Sequence, residues 1–67
     1  MNEIGSILKE HRQNAKLSQS ELARITDIKQ QNISRWESGI HIPDIIDCIK
    51  LADFYGISLD ELVGRKV

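Results

Sequence analysis

Cysteine is nearly missing from this chain: Cys48 is the only one among 67 residues. No internal disulfide can form, and a cysteine cluster around a metal is excluded. A reducing, intracellular compartment, the cytoplasm, fits this usage best. Long apolar runs are also lacking. Nothing approaches the roughly 18 residues of a membrane span, and the start MNEIGSILKE has no basic opening followed by an apolar core, so no signal peptide is expected. The chain shows no internal repeat, no linker, no low-complexity segment and no strand-like alternation. A domain of this size buries only about 60% of its unfolded surface, which argues against a large reaction cavity. His11, His41 and Cys48 lack ligand-like spacing, and no nucleophile, base and orienting acid can be grouped in one cleft. The expectation is therefore no enzyme, no metal, no cofactor and no small-molecule ligand.

A surplus of one charge is lacking too. The net charge is −1, with ordinary hydrophobic (40%) and charged (28%) fractions. The charges are polarised, however. Residues 1–36 hold six basic against four acidic side chains, and residues 37–67 hold three against six. Binding to a polyanion needs local positive potential rather than a positive total. The weak total predicts modest non-specific affinity.

What the chain does have is punctuation for five short helices in a single domain, 1–67. The first is expected from about Glu3 to Ala15, with Ile4, Ile7, Leu8, His11 and Ala15 on one face. Gly5 within it costs roughly 1 kcal/mol against alanine and leaves room for a close helix contact. Ser18-Gln19-Ser20-Glu21 is a capping box that opens the second helix, expected to end near Ile25. Thr26, Asp27 and Ile28 form a turn, and a third helix spans about Gln30 to Ser38, followed by Gly39 as a left-handed stop. Pro43 discourages helix at Ile42. Asp44 caps a fourth helix, whose expected core stripe is Ile45, Cys48, Ile49, Ala52 and Tyr55. Gly56 stops it, and a second capping box, Ser58-Leu59-Asp60-Glu61, opens a fifth helix ending near Gly64.

Two short helices joined by about three residues, the second rich in amides, form the helix-turn-helix pattern over 19–38. Counted from Gln19, Ala23 stands fifth, where steeply crossing helices must approach. Ile28, Ile33 and Trp36 stand tenth, fifteenth and eighteenth, and fold the second helix back onto the first. These residues, with Leu17-Ser18-Gln19-Ser20-Glu21-Leu22-Ala23, Ile33-Ser34-Arg35-Trp36-Glu37-Ser38-Gly39, Pro43, Ala52 and Gly56-Ile57-Ser58-Leu59-Asp60-Glu61-Leu62, resemble the phage-repressor and Cro type (XRE-like) helix-turn-helix family over nearly the whole chain. The resemblance implies an all-α bundle of five short helices, lambda-repressor-like, and sequence-specific transcriptional regulation. The chain departs from the family at Asp27, where glycine is common, and at Lys29, where a serine or threonine often caps the third helix. Ile40-His41-Ile42 also replaces an often basic loop.

The major groove admits a helix, and its base edges show distinct donor and acceptor patterns. Gln30, Gln31 and Asn32 lie at the entering end of the third helix, and an amide can match adenine with two bonds. Arg35 is placed to reach guanine or a phosphate, and Ser34 is a further base-contact candidate. Gln19 resembles a family glutamine that grips a phosphate, and Arg24, Lys29 and Ser38 are further phosphate candidates. The resemblance also implies an ion pair between Arg12 and Glu37. One short helix offers few base contacts, so a homodimer spanning a palindromic operator is expected. Its interface is expected to use Ile46, Phe54, Leu59 and Val63, with Leu51 and Val67 as further candidates. The reading is thus a double-stranded DNA-binding regulator, in the repressor mode. An antitoxin or restriction-control protein of the same fold, and a protein-interaction module without DNA binding, stand as alternatives.

Overall fold

A computed structural model describes residues 3–64 and shows five α-helices. They are α1 (Ile4–Asn14), α2 (Gln19–Thr26), α3 (Gln30–Glu37), α4 (Ile45–Tyr55) and α5 (Leu59–Val63). There is no strand among the described residues. The all-α, five-helix architecture expected from the sequence is the one observed, with helix ends shifted by a residue or so.

Local chemistry explains where the helices start. Ser18 and Ser58 each form a complete capping box, with Ser18 Oγ accepting from the Glu21 amide and Ser58 Oγ from the Glu61 amide. Asp44 Oδ1 accepts from the Asp47 amide at 2.9 Å and opens α4. Helix α3 is the exception: its cap residue, Lys29, makes no side-chain capping bond. Its start must therefore be held by packing rather than by a cap.

Backbone turns of one kind end the helices. Asp27, Gly39, Gly56 and Gly64 are all left-handed. At Asp27 (φ 58, ψ 35) the chain reverses from α2 towards α3, and the Ile28 amide donates to the Ala23 carbonyl. Aspartate tolerates this conformation better than most residues, because its short polar side chain can bond locally. Lys16 (φ 60) is also left-handed, at a position where no glycine or asparagine signals it. The Lys16 and Leu17 amides return to the carbonyls of Gln13 and Arg12, which closes α1 without a glycine.

The core is a cluster of Leu8, Leu22, Ile28, Ile33, Trp36, Cys48, Leu51, Ala52 and Leu62, with Ile4, Leu17, Ala23, Tyr55 and Ile57 packed against it. Ile28, Ile33 and Trp36 are buried as the motif requires. Gly5 is buried where α1 meets the end of α3: a Cβ there would overlap the Trp36 carbonyl oxygen and press on the Glu37 backbone. The close contact for which the glycine leaves room is thus a real one.

Helix α4 requires a correction. Its expected stripe included Ile45 and Ile49, but these are 62% and 46% exposed, whereas Leu51, a candidate for the interface, is 2% exposed and in the core. The buried face is Cys48, Leu51 and Ala52, with Tyr55 half-buried. This helix is apolar almost all round, so its periodicity alone supports more than one stripe. The flanking α2 and α5 select the one that is buried. Ala15, placed on the inner face of helix 1, is likewise exposed at the end of α1. Of the interface candidates, Ile46, Phe54 and Leu59 are exposed, Val63 is half-buried, and Val67 lies outside the described residues.

Gly5→Ala is expected to destabilise the fold by about 1–3 kcal/mol, because backbone must move to admit the methyl group. Lys16→Gly is expected to stabilise it by about 0.5–1 kcal/mol by relieving a left-handed lysine. Urea unfolding followed by circular dichroism measures both, and the opposite sign in either case would contradict the backbone assignment.

Candidate nucleic-acid interface

The outer surface of α3 follows from its inner one. With Ile33 and Trp36 buried, the helical repeat leaves Gln30, Gln31, Ser34 and Arg35 on the exposed side. Among the described residues, the side chains of Gln30, Gln31 and Asn32 have no hydrogen-bond partner. Their amide donors and acceptors face water and are available to a ligand. Asn32 differs from its neighbours. It is half-buried at the edge of this face and lines a cleft with Arg35, Trp36, His41, Ile42, Asp44 and Asp47. Burial and the nearby Asp44 raise the Asp47 carboxyl above its ordinary range.

A hydrogen-bonded junction holds the far end of α3. Arg12 Nε donates to Glu37 Oε2 at 2.8 Å, and Arg12 Nη2 donates to Glu37 Oε1 at 2.9 Å. The guanidinium is thus bound side-on to the carboxylate, in the paired geometry that favours arginine. Arg12 Nη1 donates to the Leu17 carbonyl at 2.8 Å, and Gln19 Nε2 donates to Glu37 Oε1 at 3.0 Å. One junction therefore ties α1, the loop after it, the start of α2 and the end of α3. The two charged side chains retain only 11% and 5% of their exposure. Glu37, through its hydrogen bond and then its charge, raises the Arg12 pKa, so the guanidinium stays charged at any ordinary pH.

The phosphate candidates divide. Arg24 and Lys29 are exposed, near the end of α2 and the entrance of α3. Gln19 already spends one amide proton on Glu37, and its second remains for an outside acceptor. Ser38 Oγ donates its single proton to the Arg35 carbonyl at 3.1 Å, so it must turn to donate elsewhere. The sequence did not disclose the Gln19–Glu37 and Arg12–Leu17 bonds, because no local periodicity links residues so placed. Helical spacing alone puts His11 on the packed face of α1 and gives it no polar partner. In the structure its Nε2 lies 3.1 Å from the Glu61 carbonyl and its ring stacks, tilted, against Tyr55.

Other reactive groups are structural in placement. Cys48 is buried, and burial together with Asp44 and Asp47 pushes its thiol pKa up. The Tyr55 hydroxyl is buried without a partner, and burial and then Glu37 push its pKa up. Among the described residues no three His, Cys, Asp or Glu side chains are grouped to hold a metal. No helix there is long and apolar enough to cross a membrane.

Two reversing helices, a left-handed turn and an exposed amide face thus stand in one arrangement, and the sequence model of the helix-turn-helix family matches residues 8–62. The chain belongs to the helix-turn-helix family. It is also 37% identical over 62 residues to the HTH-type transcriptional regulator ImmR of Bacillus subtilis (strain 168). That match covers 92% of this chain and 49% of the relative, so the chain spans about half the relative's length. The helix-turn-helix unit is α2, the Asp27 turn and α3.

Arg12→Ala leaves Glu37 charged and largely enclosed, with Gln19 as its remaining partner. The expected cost is about 3–5 kcal/mol, a fall in Tm of more than about 10 °C. A thermal melt unchanged within a degree or two would show that the pair does not hold the bundle.

Proposed function

We propose that this helix-turn-helix chain is a sequence-specific double-stranded DNA-binding transcriptional regulator, acting in the cytoplasm as a repressor dimer on a palindromic operator. The observation that carries this reading is the outward arc of α3, where unpartnered amides precede Arg35 on a helix fixed at its far end. In the groove, Gln30 and Gln31 read bases through paired donor and acceptor bonds, Asn32 and Ser34 add contacts at the edges, and Arg35 reaches guanine or phosphate. Arg24, Lys29, Ser38 and the free amide proton of Gln19 engage phosphates and set the register. Twofold pairing through the exposed Ile46, Phe54 and Leu59, with Val63 beside them, would present two recognition helices about 34 Å apart. The similarity to ImmR, a transcriptional regulator by name, supports the same direction.

A second reading has its own support. Ile40 and Ile42, directly after the recognition helix, are 68% and 64% exposed, and the net charge is −1. An apolar loop and a weak charge suit a protein-interaction module. Titration against duplex DNA at two salt concentrations separates the two. A DNA-binding chain loses affinity steeply as salt rises. A chain that binds no duplex at low salt is an interaction module.

Selection from a random duplex pool is expected to return a two-part motif. The Gln30→Ala, Gln31→Ala variant is expected to lose about 1–3 kcal/mol of discrimination at defined base positions while keeping its salt dependence. An unchanged motif would remove these two residues from base reading.

A further inference from the structure

The loop between α3 and α4 holds two apolar side chains out in water. Ile40 and Ile42 are 68% and 64% exposed, and His41 between them is exposed too. The backbone beneath them is pinned at both ends. Gly39 turns left-handed before them, and the Ile40 and His41 amides both donate to the Arg35 carbonyl, at 3.0 and 3.3 Å. Pro43 is buried after them. Length sets this loop against the duplex. Helix α3 has eight residues. At 1.5 Å per residue it is about 12 Å long, close to the width of the major groove. With its amide end inside the groove, the chain leaving its other end emerges at the groove wall, over a sugar-phosphate strand and beside the next minor groove. The two flanks of α3 differ in charge. Arg24 and Lys29 are exposed on the α2 side. On the loop side there is no lysine or arginine from Ser38 to Ile49, and Asp44 and Asp47 line a cleft with Arg35, His41 and Ile42. Such a loop does not grip a phosphate strand by ion pairing. Apolar surface is what it offers, and in a duplex the matching surface lies on base faces, reached from the minor groove where a step opens.

We infer that Ile40 and Ile42 form an apolar wedge that enters the minor groove beside the α3 site, opens one base step and bends the duplex. Continuity with the reading face selects duplex DNA as the occupant, since Ile40 follows the last residue of α3 by only three positions. Burial of the two isoleucines offsets the unstacking, which is easiest at flexible pyrimidine–purine steps such as TA. The loop thereby adds a sequence preference at a step that the α3 amides do not read. Bending is a separate activity from base reading, but it rests on groove binding by α3.

The test uses the whole chain and a duplex carrying the site selected from the random pool. Fluorophores at the duplex ends report bending by energy transfer, and 2-aminopurine placed at each flanking position in turn reports unstacking. The expected result is a bend of about 20–90° and a rise in 2-aminopurine emission at one flanking step. Setting TA at that step, in place of a stiff A-tract, is expected to raise affinity by roughly tenfold. The double variant I40S/I42S changes only solvent-exposed side chains and is expected to melt as the parent does. It is expected to keep the salt dependence of binding, since no charge is altered, and to lose the bend, the emission change and the step preference. I40L/I42L, which keeps the wedge apolar, is expected to retain all three. A parent complex that stays straight, with no step unstacked, overturns the wedge and leaves groove binding intact. A bend that persists in I40S/I42S overturns it too, and leaves the loop to a protein partner. Failure to bind any duplex at low salt is a distinct result, which removes the DNA reading and the wedge together.

Discussion

The carboxylate of Glu37 is the point on which the rest of the structure converges. It receives two bonds from Arg12 and one from Gln19, and Arg12 in turn holds the Leu17 carbonyl. A largely enclosed carboxylate is tolerable only with its charge matched and its oxygens occupied. The junction therefore admits few alternative arrangements of α1, α2 and α3. It also fixes the end of α3 remote from the exposed amides. At the near end, Lys29 supplies no side-chain cap and Asp27 sets the direction of entry through its left-handed backbone. Anchored at its far end and packed through Ile33 and Trp36, α3 presents its outer side chains in one orientation.

The glycine at position 5 belongs to the same junction. Its missing side chain lets α1 approach the backbone of Trp36 and Glu37, the residue pair that carries both the core contact and the ion pair. Packing and electrostatics are coupled here. A shift of α1 away from α3 would lengthen the Arg12–Glu37 bonds and open the core beside Trp36 together. The small size of the domain sharpens this coupling, since so short a chain has little other buried surface to compensate.

Helix α4 shows the opposite situation. Its inner face is shared with α2 and α5, yet four of its apolar side chains, Ile45, Ile46, Ile49 and Phe54, stand in water. Nothing in the isolated domain explains that expense, because solvated isoleucines add no stability. The exposed amide face of α3 and the apolar outer side of α4 lie on separate helices of one scaffold, and α2 packs against both.

The helices and most of the candidate site are legible in the chain's local pattern. Serine and aspartate caps, left-handed stops and Pro43 are local signals, read over three or four residues, and they placed all five helices to within a residue or two. The motif spacing placed Ile28, Ile33 and Trp36 inside, and hence Gln30, Gln31, Ser34 and Arg35 outside, because a helix of known phase has only one opposite face. Resemblance to a family, rather than periodicity, supplied the Arg12–Glu37 pair. Tertiary structure alone decided three things. It turned Leu51 inward and left Ile45 and Ile49 in water, since an apolar helix has no phase until its neighbours are placed. It spent one amide proton of Gln19 on Glu37, a contact between residues eighteen positions apart that no local pattern encodes. It drew Lys16 into a left-handed turn, because seating Leu17 against the core turns the chain sharply after α1 and no glycine stood there to announce it.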